Sequence, residues 1–202
     1  MGGLTPGVQF LPVGRWMGVD VGGRRKRFDV ASIEGSRLVG LKARLSVGEV
    51  VEWVRADEPE VVAVDSPRSC APPGSTHRPA EKELRDAVCG IRWTPPESEL
   101  RGNPYYEWIV EGLALYAELA DLPVEVIECF PTASWTRWHG PRGKLTRAAW
   151  TRAGAAALNL HGLPSRTNQD QRDAIAAALT ARDYAQGRAE AFGDIVVPLA
   201  EP

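Results

Sequence analysis

The segment Glu60-Val61-Val62-Ala63-Val64-Asp65-Ser66-Pro67 constrains the fold of this chain most. Its apolar residues do not alternate with polar ones, as expected of a strand covered on both faces. It follows a capped helix. Ser46 and Glu49 have the spacing of a capping box, and Val47, Val50, Val51 and Val54 fall on one face of the helix they start. Asp57-Glu58-Pro59 should end that helix. A buried strand after such a helix is the mark of a parallel crossover, which places the chain in the α/β class.

Three runs precede that unit. Trp16–Val21 reads as a buried strand closed by Gly22-Gly23. Phe28–Ile33 and Arg37–Leu45 are joined by Glu34-Gly35-Ser36, a short hairpin signal. Residues 66–103 are rich in Pro and charge and read as an irregular insertion with one helix near Pro79–Cys89. Asn103-Pro104 opens a helix to about Asp121. Residues 123–131 read as the next strand, and helices follow at about 145–160 and 168–187. Residues 194–199 read as a short strand or a docked tail. The expected organisation is a loose arm over residues 1–15 and one domain over 16–202.

Composition closes off other classes. The chain has 202 residues, 44% of them hydrophobic and 25% charged, which suits one soluble domain. No apolar run reaches the roughly 18 residues of a membrane span, and no signal peptide is visible at the N-terminus. No membrane association is expected. Three cysteines without a C-x-x-C pair argue against a disulfide framework and a cysteine zinc site, so a reducing cytoplasm is the expected location. The net charge of −2 leaves nucleic-acid binding to a local basic patch.

Acidic residues gather at the predicted strand ends. Asp20 closes strand one, Asp65 strand four and Glu128 strand five, while Asp170 and Asp173 open the last helix three residues apart, on one face. In α/β sheets ligands collect at the carboxyl ends of parallel strands. Carboxylates so close repel one another, and a hard divalent cation, Mg²⁺ or Mn²⁺, relieves the conflict. Such ions stabilise the attacking and leaving oxygens of phosphodiester cleavage. Each residue also has a plain reading: Asp as a turn former or cap, Asp170 as a dipole partner, Glu128 as an arginine partner. Asp173 is the hardest to dismiss, because a run of Ala follows it.

The ordered set Gly18-Val19-Asp20, Val64-Asp65-Ser66-Pro67, Ile127-Glu128-Cys129-Phe130-Pro131-Thr132-Ala133 and Asp170-Gln171-Arg172-Asp173-Ala174 resembles the predicted RNase H-like nucleases of domain-of-unknown-function family 429, over residues 16–185. The start of the last helix also resembles RuvC-type Holliday-junction resolvases. The resemblance implies an RNase H-like mixed five-stranded sheet in the order 3-2-1-4-5, flanked by helices. It implies a metal-dependent nuclease with Asp20, Asp65, Glu128 and Asp173 catalytic, and Asp20, Asp65, Asp170 and Asp173 holding metal. Nucleic acid is the implied partner, and a RuvC-like role implies a homodimer.

Basic residues offer phosphate contacts. Arg24-Arg25-Lys26-Arg27 is a phosphate-binding turn or a solvated hairpin tip. The insertion mixes Arg78, Lys82, Arg85, Arg92 and Arg101 with Trp93. Arg85 and Lys144 are the substrate-binding candidates. Gly140–Thr146 is not a P-loop, since Leu145 stands where Ser or Thr is required. His77, His139 and His161 lack zinc spacing, and no nucleophile elbow surrounds Ser66. Two other functions compete. Gly18–Gly23 resembles the first phosphate loop of actin-like sugar kinases, which would make the chain an ATP-dependent phosphotransferase. A noncatalytic nucleic-acid-binding module is the third.

Overall fold

The computed structural model describes residues 14–200. Most of the expected N-terminal arm, residues 1–13, lies outside the described residues. Strand β1 (Arg15–Val21) begins within the arm's expected span, and Arg15 is tied to Asp57 at 2.8 Å and Glu34 at 3.1 Å. β1, β2 (Phe28–Glu34) and β3 (Arg37–Leu45) form the antiparallel meander. Helix α1 (Val47–Asp57) carries the capping box of Ser46 and Glu49, and crosses to β4 (Val61–Asp65), parallel to β1.

The insertion holds α2 (Pro79–Ala87) and the short α3 (Glu97–Leu100). Its end passes through a 3-10 turn into α4 (Glu107–Leu119) and then β5 (Glu125–Cys129). The C-terminal part contains α5 (Pro131–His139), α6 (Arg147–Ala157), α7 (Gln169–Ala185), β6 (Ala189–Phe192) and β7 (Ile195–Pro198). Helix α5 did not stand out in the sequence: Phe130-Pro131 looks like a strand end, yet Pro at the first helical position is well placed to start one. None of the described helices is long and apolar enough to cross a membrane.

Among the described residues the sheet has seven strands, not five, in the order β3-β2-β1-β4-β5-β7-β6. The expected order 3-2-1-4-5 is its first part. The extra pair is a hairpin with Phe192 opposite Ile195, turned by Gly193 at φ 57°. β7 runs parallel to β5, with Glu128 beside Ile195 and Cys129 beside Val196. The hairpin removes β5 from the sheet edge, and α2 packs on it through Ala80 and Leu84 against Ile195 and Val197.

Two apolar layers cover the sheet. Met17, Val19, Val62 and Val64 face α1 and α4, where Val50, Val51, Val54, Leu115 and Leu119 complete one core. Trp16, Ala63 and Ile127 face α7 and its Ala174, Ala177 and Ala178. The strand period of two puts Gly18 and Asp20 on the α7 side with Trp16. α7 approaches β1 there almost backbone to backbone. A Cβ at Gly18 would lie 2.0 Å from the Ala178 nitrogen and 2.2 Å from the Ala174 oxygen. Gly18→Ala should therefore cost about 3 kcal/mol, the upper end for overpacking because backbone atoms cannot rotate away. Urea unfolding of the variant measures it, and an unchanged midpoint would show that α7 can lift without cost.

Candidate active site

The register of the parallel strands builds the site. Asp20 and Asp65 are direct partners across β1 and β4, at the carboxyl ends of both strands. Both side chains point to the α7 face. α7 supplies Asp173 from its first turns, one residue before the alanines packed on β1. The start of α7 is fixed by a capping box: the Asn168 side chain accepts from the Gln171 amide at 2.7 Å, and Gln171 accepts from the Asn168 amide at 3.0 Å. The structure thus brings Asp20, Asp65 and Asp173 together around one cleft, with Asp170 on its rim.

The electrostatics follow from this crowding. Burial, then the neighbouring Asp65, Asp173 and Asp170, pushes the Asp20 carboxyl well above its ordinary pKa of 3.8. Burial and Asp173 do the same to Asp65. Asp173 is also raised, chiefly by burial, while the Arg147 guanidinium and the Gln169 amide pull the other way. Gln169 donates to both Asp173 oxygens at 3.0 Å and Arg147 to one at 2.8 Å. Lys26 holds Asp170 at 3.1 Å. Among the described residues, no side chain or backbone group donates a hydrogen bond to Asp20 or Asp65.

This donor set suits a hard divalent cation: carboxylate oxygens only, two of the groups free of protein partners, and mutual repulsion that a cation would relieve. As they stand, no three His, Cys, Asp or Glu side chains among the described residues converge closely enough to hold an ion. Arg147 and Lys26 occupy the two α7 carboxylates instead. Asp20, Asp65 and Asp173 are the residues that would hold one.

Glu128 is placed differently from the other acids. It pairs in register with Val64, so its side chain lies on the face opposite Asp20 and Asp65. Cys129 takes the α7-side place in that row. Glu128 is buried and gripped by the Arg78 guanidinium, at 2.8 Å for the longer contact, and by the Arg68 amide at 2.9 Å. Arg78 also reaches Glu81 at 3.1 Å, and Glu81 accepts from the Thr94 amide at 3.0 Å. This buried chain fastens the insertion to the end of β5. The Glu128 carboxylate is thus held by an arginine, the plain reading of its sequence position, yet Glu128 lines the same cleft as Asp20 and Asp65, and its charge is among those that raise the Asp65 pKa.

The two basic candidates stand outside the cleft. Arg85 is exposed and lies 5.0 Å over the Trp93 ring, and Lys144 is exposed in the loop before α6. Lys26, Arg92, Arg142 and Arg147 line the cleft, which encloses about 900 Å³. The basic turn is largely neutralised: Arg24 meets Glu111 at 3.3 Å, Lys26 meets Asp170 and Arg27 approaches Glu49 at 3.9 Å. Arg78 and Arg147 stand out in the sequence only as members of basic stretches, and their carboxylate partners Glu128 and Asp173 are not visible there. One signal was available for Arg147, a cation in the first turn of a helix, where the macrodipole opposes it.

Two outcomes follow from the charges. Carboxyls with raised native pKa bind protons that the unfolded chain has released, so they lower metal-free stability as pH rises above the ordinary value of 3.8. In chelator, Asp20→Asn should melt above wild type, with the gain growing as pH rises above the ordinary carboxyl value of 3.8; an equal melting difference at every pH would contradict the crowding. Arg78→Met leaves Glu128 and Glu81 buried without their cation and should cost about 3–5 kcal/mol in urea unfolding. The double change Arg78→Met with Glu128→Met should recover much of that loss, unless the pair contributes nothing.

Comparison with known proteins agrees with this architecture. Thermus thermophilus RuvC solved with a Holliday junction substrate superposes with a TM-score of 0.52 at 18% identity, over 86% of this chain and 96% of that one. Thermus thermophilus RuvC alone gives 0.48 at 20% identity, over 86% and 96%. The yeast mitochondrial Holliday junction resolvase Ydc2 gives 0.45 at 12% identity, over 85% and 78%. No curated protein matches the chain. The superposition on junction-bound RuvC shows an RNase H-like fold. A family model described as "Protein of unknown function (DUF429)" matches residues 18–196, and the chain belongs to that family.

Proposed function

We propose that the protein is a divalent-metal-dependent nuclease that hydrolyses phosphodiester bonds at Asp20, Asp65 and Asp173. The observation that carries this reading is the bare pair of Asp20 and Asp65, register partners on adjacent parallel strands, with Asp173 set against them by α7. A bound Mg²⁺ or Mn²⁺ would supply Lewis acidity and neutralise charge on the attacking and leaving oxygens. The chain's own residues do the rest. Asp20 and Asp65 hold the ion from the rigid sheet. Gln169 orients Asp173 by donating to both of its oxygens. Arg142 and Arg92 line the cleft as phosphate contacts. The fold neighbour solved with a Holliday junction supports nucleic acid as the substrate class. Three free cysteines, Cys70, Cys89 and Cys129, support a reducing compartment.

The kinase reading loses its main support at Gly22. Its amide donates to the Arg27 carbonyl at 3.0 Å and closes the β1–β2 turn, so it is not free for a phosphate.

The test is cleavage of labelled single strands, duplexes, RNA–DNA hybrids and four-way junctions in Mn²⁺ and in Mg²⁺. Wild type should cut at least one of them only with metal. Asp20→Asn and Asp173→Asn should each lower the rate by about 100-fold or more, beyond the usual effect of an outer-shell residue. Equal cutting by all three proteins, or none by wild type, would refute the nuclease and favour a binding module.

A further inference from the structure

The acidic cluster carries its own counter-cation. Arg147 is the first residue of α6 and donates to one Asp173 oxygen at 2.8 Å. Its position is not a comfortable one. A cation in the first turn is opposed by the helix macrodipole, so α6 itself does not favour the charge there. The side chain is 43% exposed and lies along the cleft, while Asp173 is 4% exposed. The loop that leads into α6 turns at Gly140 (φ 76°) and Gly143 (φ 56°), and Thr146 caps the helix by accepting from the Ala149 amide at 3.2 Å.

Asp173 does not depend on Arg147 for its orientation. The Gln169 amide binds both Asp173 oxygens, and the Gln169 carbonyl oxygen is itself held by the Thr151 hydroxyl and the Arg172 guanidinium, each at 3.1 Å. Arg172 is buried and also donates to the Thr151 hydroxyl at 2.8 Å. This framework, which includes the Arg172 guanidinium, would stay in place if Arg147 swung away. A guanidinium and a divalent ion cannot share that carboxylate oxygen without strong repulsion. The guanidinium fork suits a phosphate as well as a carboxylate.

We infer that Arg147 is a displaceable resident cation, which releases Asp173 to a divalent ion and takes a substrate phosphate in exchange. The inference rests on the metal-site reading above and adds a regulation to it. Without metal, Arg147 offsets part of the repulsion among the carboxylates. With a phosphate in the cleft it has a second partner, so phosphate raises the affinity for metal and metal raises the affinity for phosphate, by the same factor. The exchange needs no titration and no backbone movement beyond the side chain.

Calorimetric titration with Mn²⁺ alone tests the first half, on wild type, Arg147→Met, Arg147→Lys and Asp173→Asn. Arg147→Met should bind Mn²⁺ about fivefold or more tightly than wild type, Arg147→Lys about as wild type does, and Asp173→Asn more weakly. The second half uses thymidine 3′,5′-bisphosphate, which has no phosphodiester to cleave. The probe should raise the Mn²⁺ affinity of wild type, and Arg147→Met should lose most of that increment. An Arg147→Met affinity equal to or below wild type would make Arg147 a positioning residue for Asp173 and overturn the exchange, while a weakened Asp173→Asn would leave the metal site standing. No increment in wild type would overturn the exchange as well. Absence of Mn²⁺ binding by both wild type and Arg147→Met would overturn this inference and the metal site together.

Discussion

The close approach of α7 to β1 at Gly18 is the contact on which the site depends. Ala174, Ala177 and Ala178 bring the helix backbone to a distance that no side chain at position 18 would allow. Close packing on glycine and alanine sets a precise depth, because there are no flexible side chains to compress. Asp173 precedes Ala174 directly, and Asp20 lies two residues after Gly18 on the same face of the strand. The depth of one helix on one strand therefore sets how near the helical carboxylate comes to the sheet carboxylates. The capping box at Asn168 fixes where that helix starts.

The site is also a problem in charge. Asp20, Asp65 and Asp173 face one cleft; burial raises all three pKa values, the neighbouring acids raise Asp20 and Asp65 further, and Arg147 and Gln169 pull Asp173 back. Two basic side chains, Arg147 and Lys26, hold the helical acids Asp173 and Asp170, and the sheet acids stay bare. Such an arrangement is unfavourable for folding and useful for binding a cation. On the other face of the sheet the same problem is solved permanently. Arg78 sits between Glu81 and Glu128, all three buried, and locks the insertion to β5. Both arrangements border the same cleft: Asp20 and Asp65 stay available, while Glu81 and Glu128 are used as a clasp.

Much of this was legible in the sequence. The apolar runs and the Ser46 capping box mark the parallel crossover, and the strand-end acids Asp20 and Asp65 with Asp173 mark the cleft. What was not legible depended on parity and exposure. Val126 and Ile127 are both apolar, so β5 does not declare which face is which, and a one-residue difference turns Glu128 to the other face of the strand, where it meets Arg78 at the side of the same cleft. The β6–β7 hairpin has strands of four residues each, too short to show a period, and it is placed by packing with Ala80 and Leu84 from a distant segment. Arg85 and Lys144 looked like phosphate ligands because they lie in basic stretches. Composition along the chain does not say which of several arginines turns inward, and Arg78 and Arg147 do so through partners 50 and 26 residues away.

The central claim is that the bare pair of Asp20 and Asp65, with Asp173, forms a divalent-metal site. Anomalous diffraction from crystals soaked in Mn²⁺ tests it most directly, since it locates the ion without relying on a substrate. The expected result is an anomalous peak at the Asp20, Asp65 and Asp173 carboxylates, the residues that would hold a hard dication. Well-diffracting crystals with no peak at these residues, or with Mn²⁺ bound only elsewhere, would contradict it.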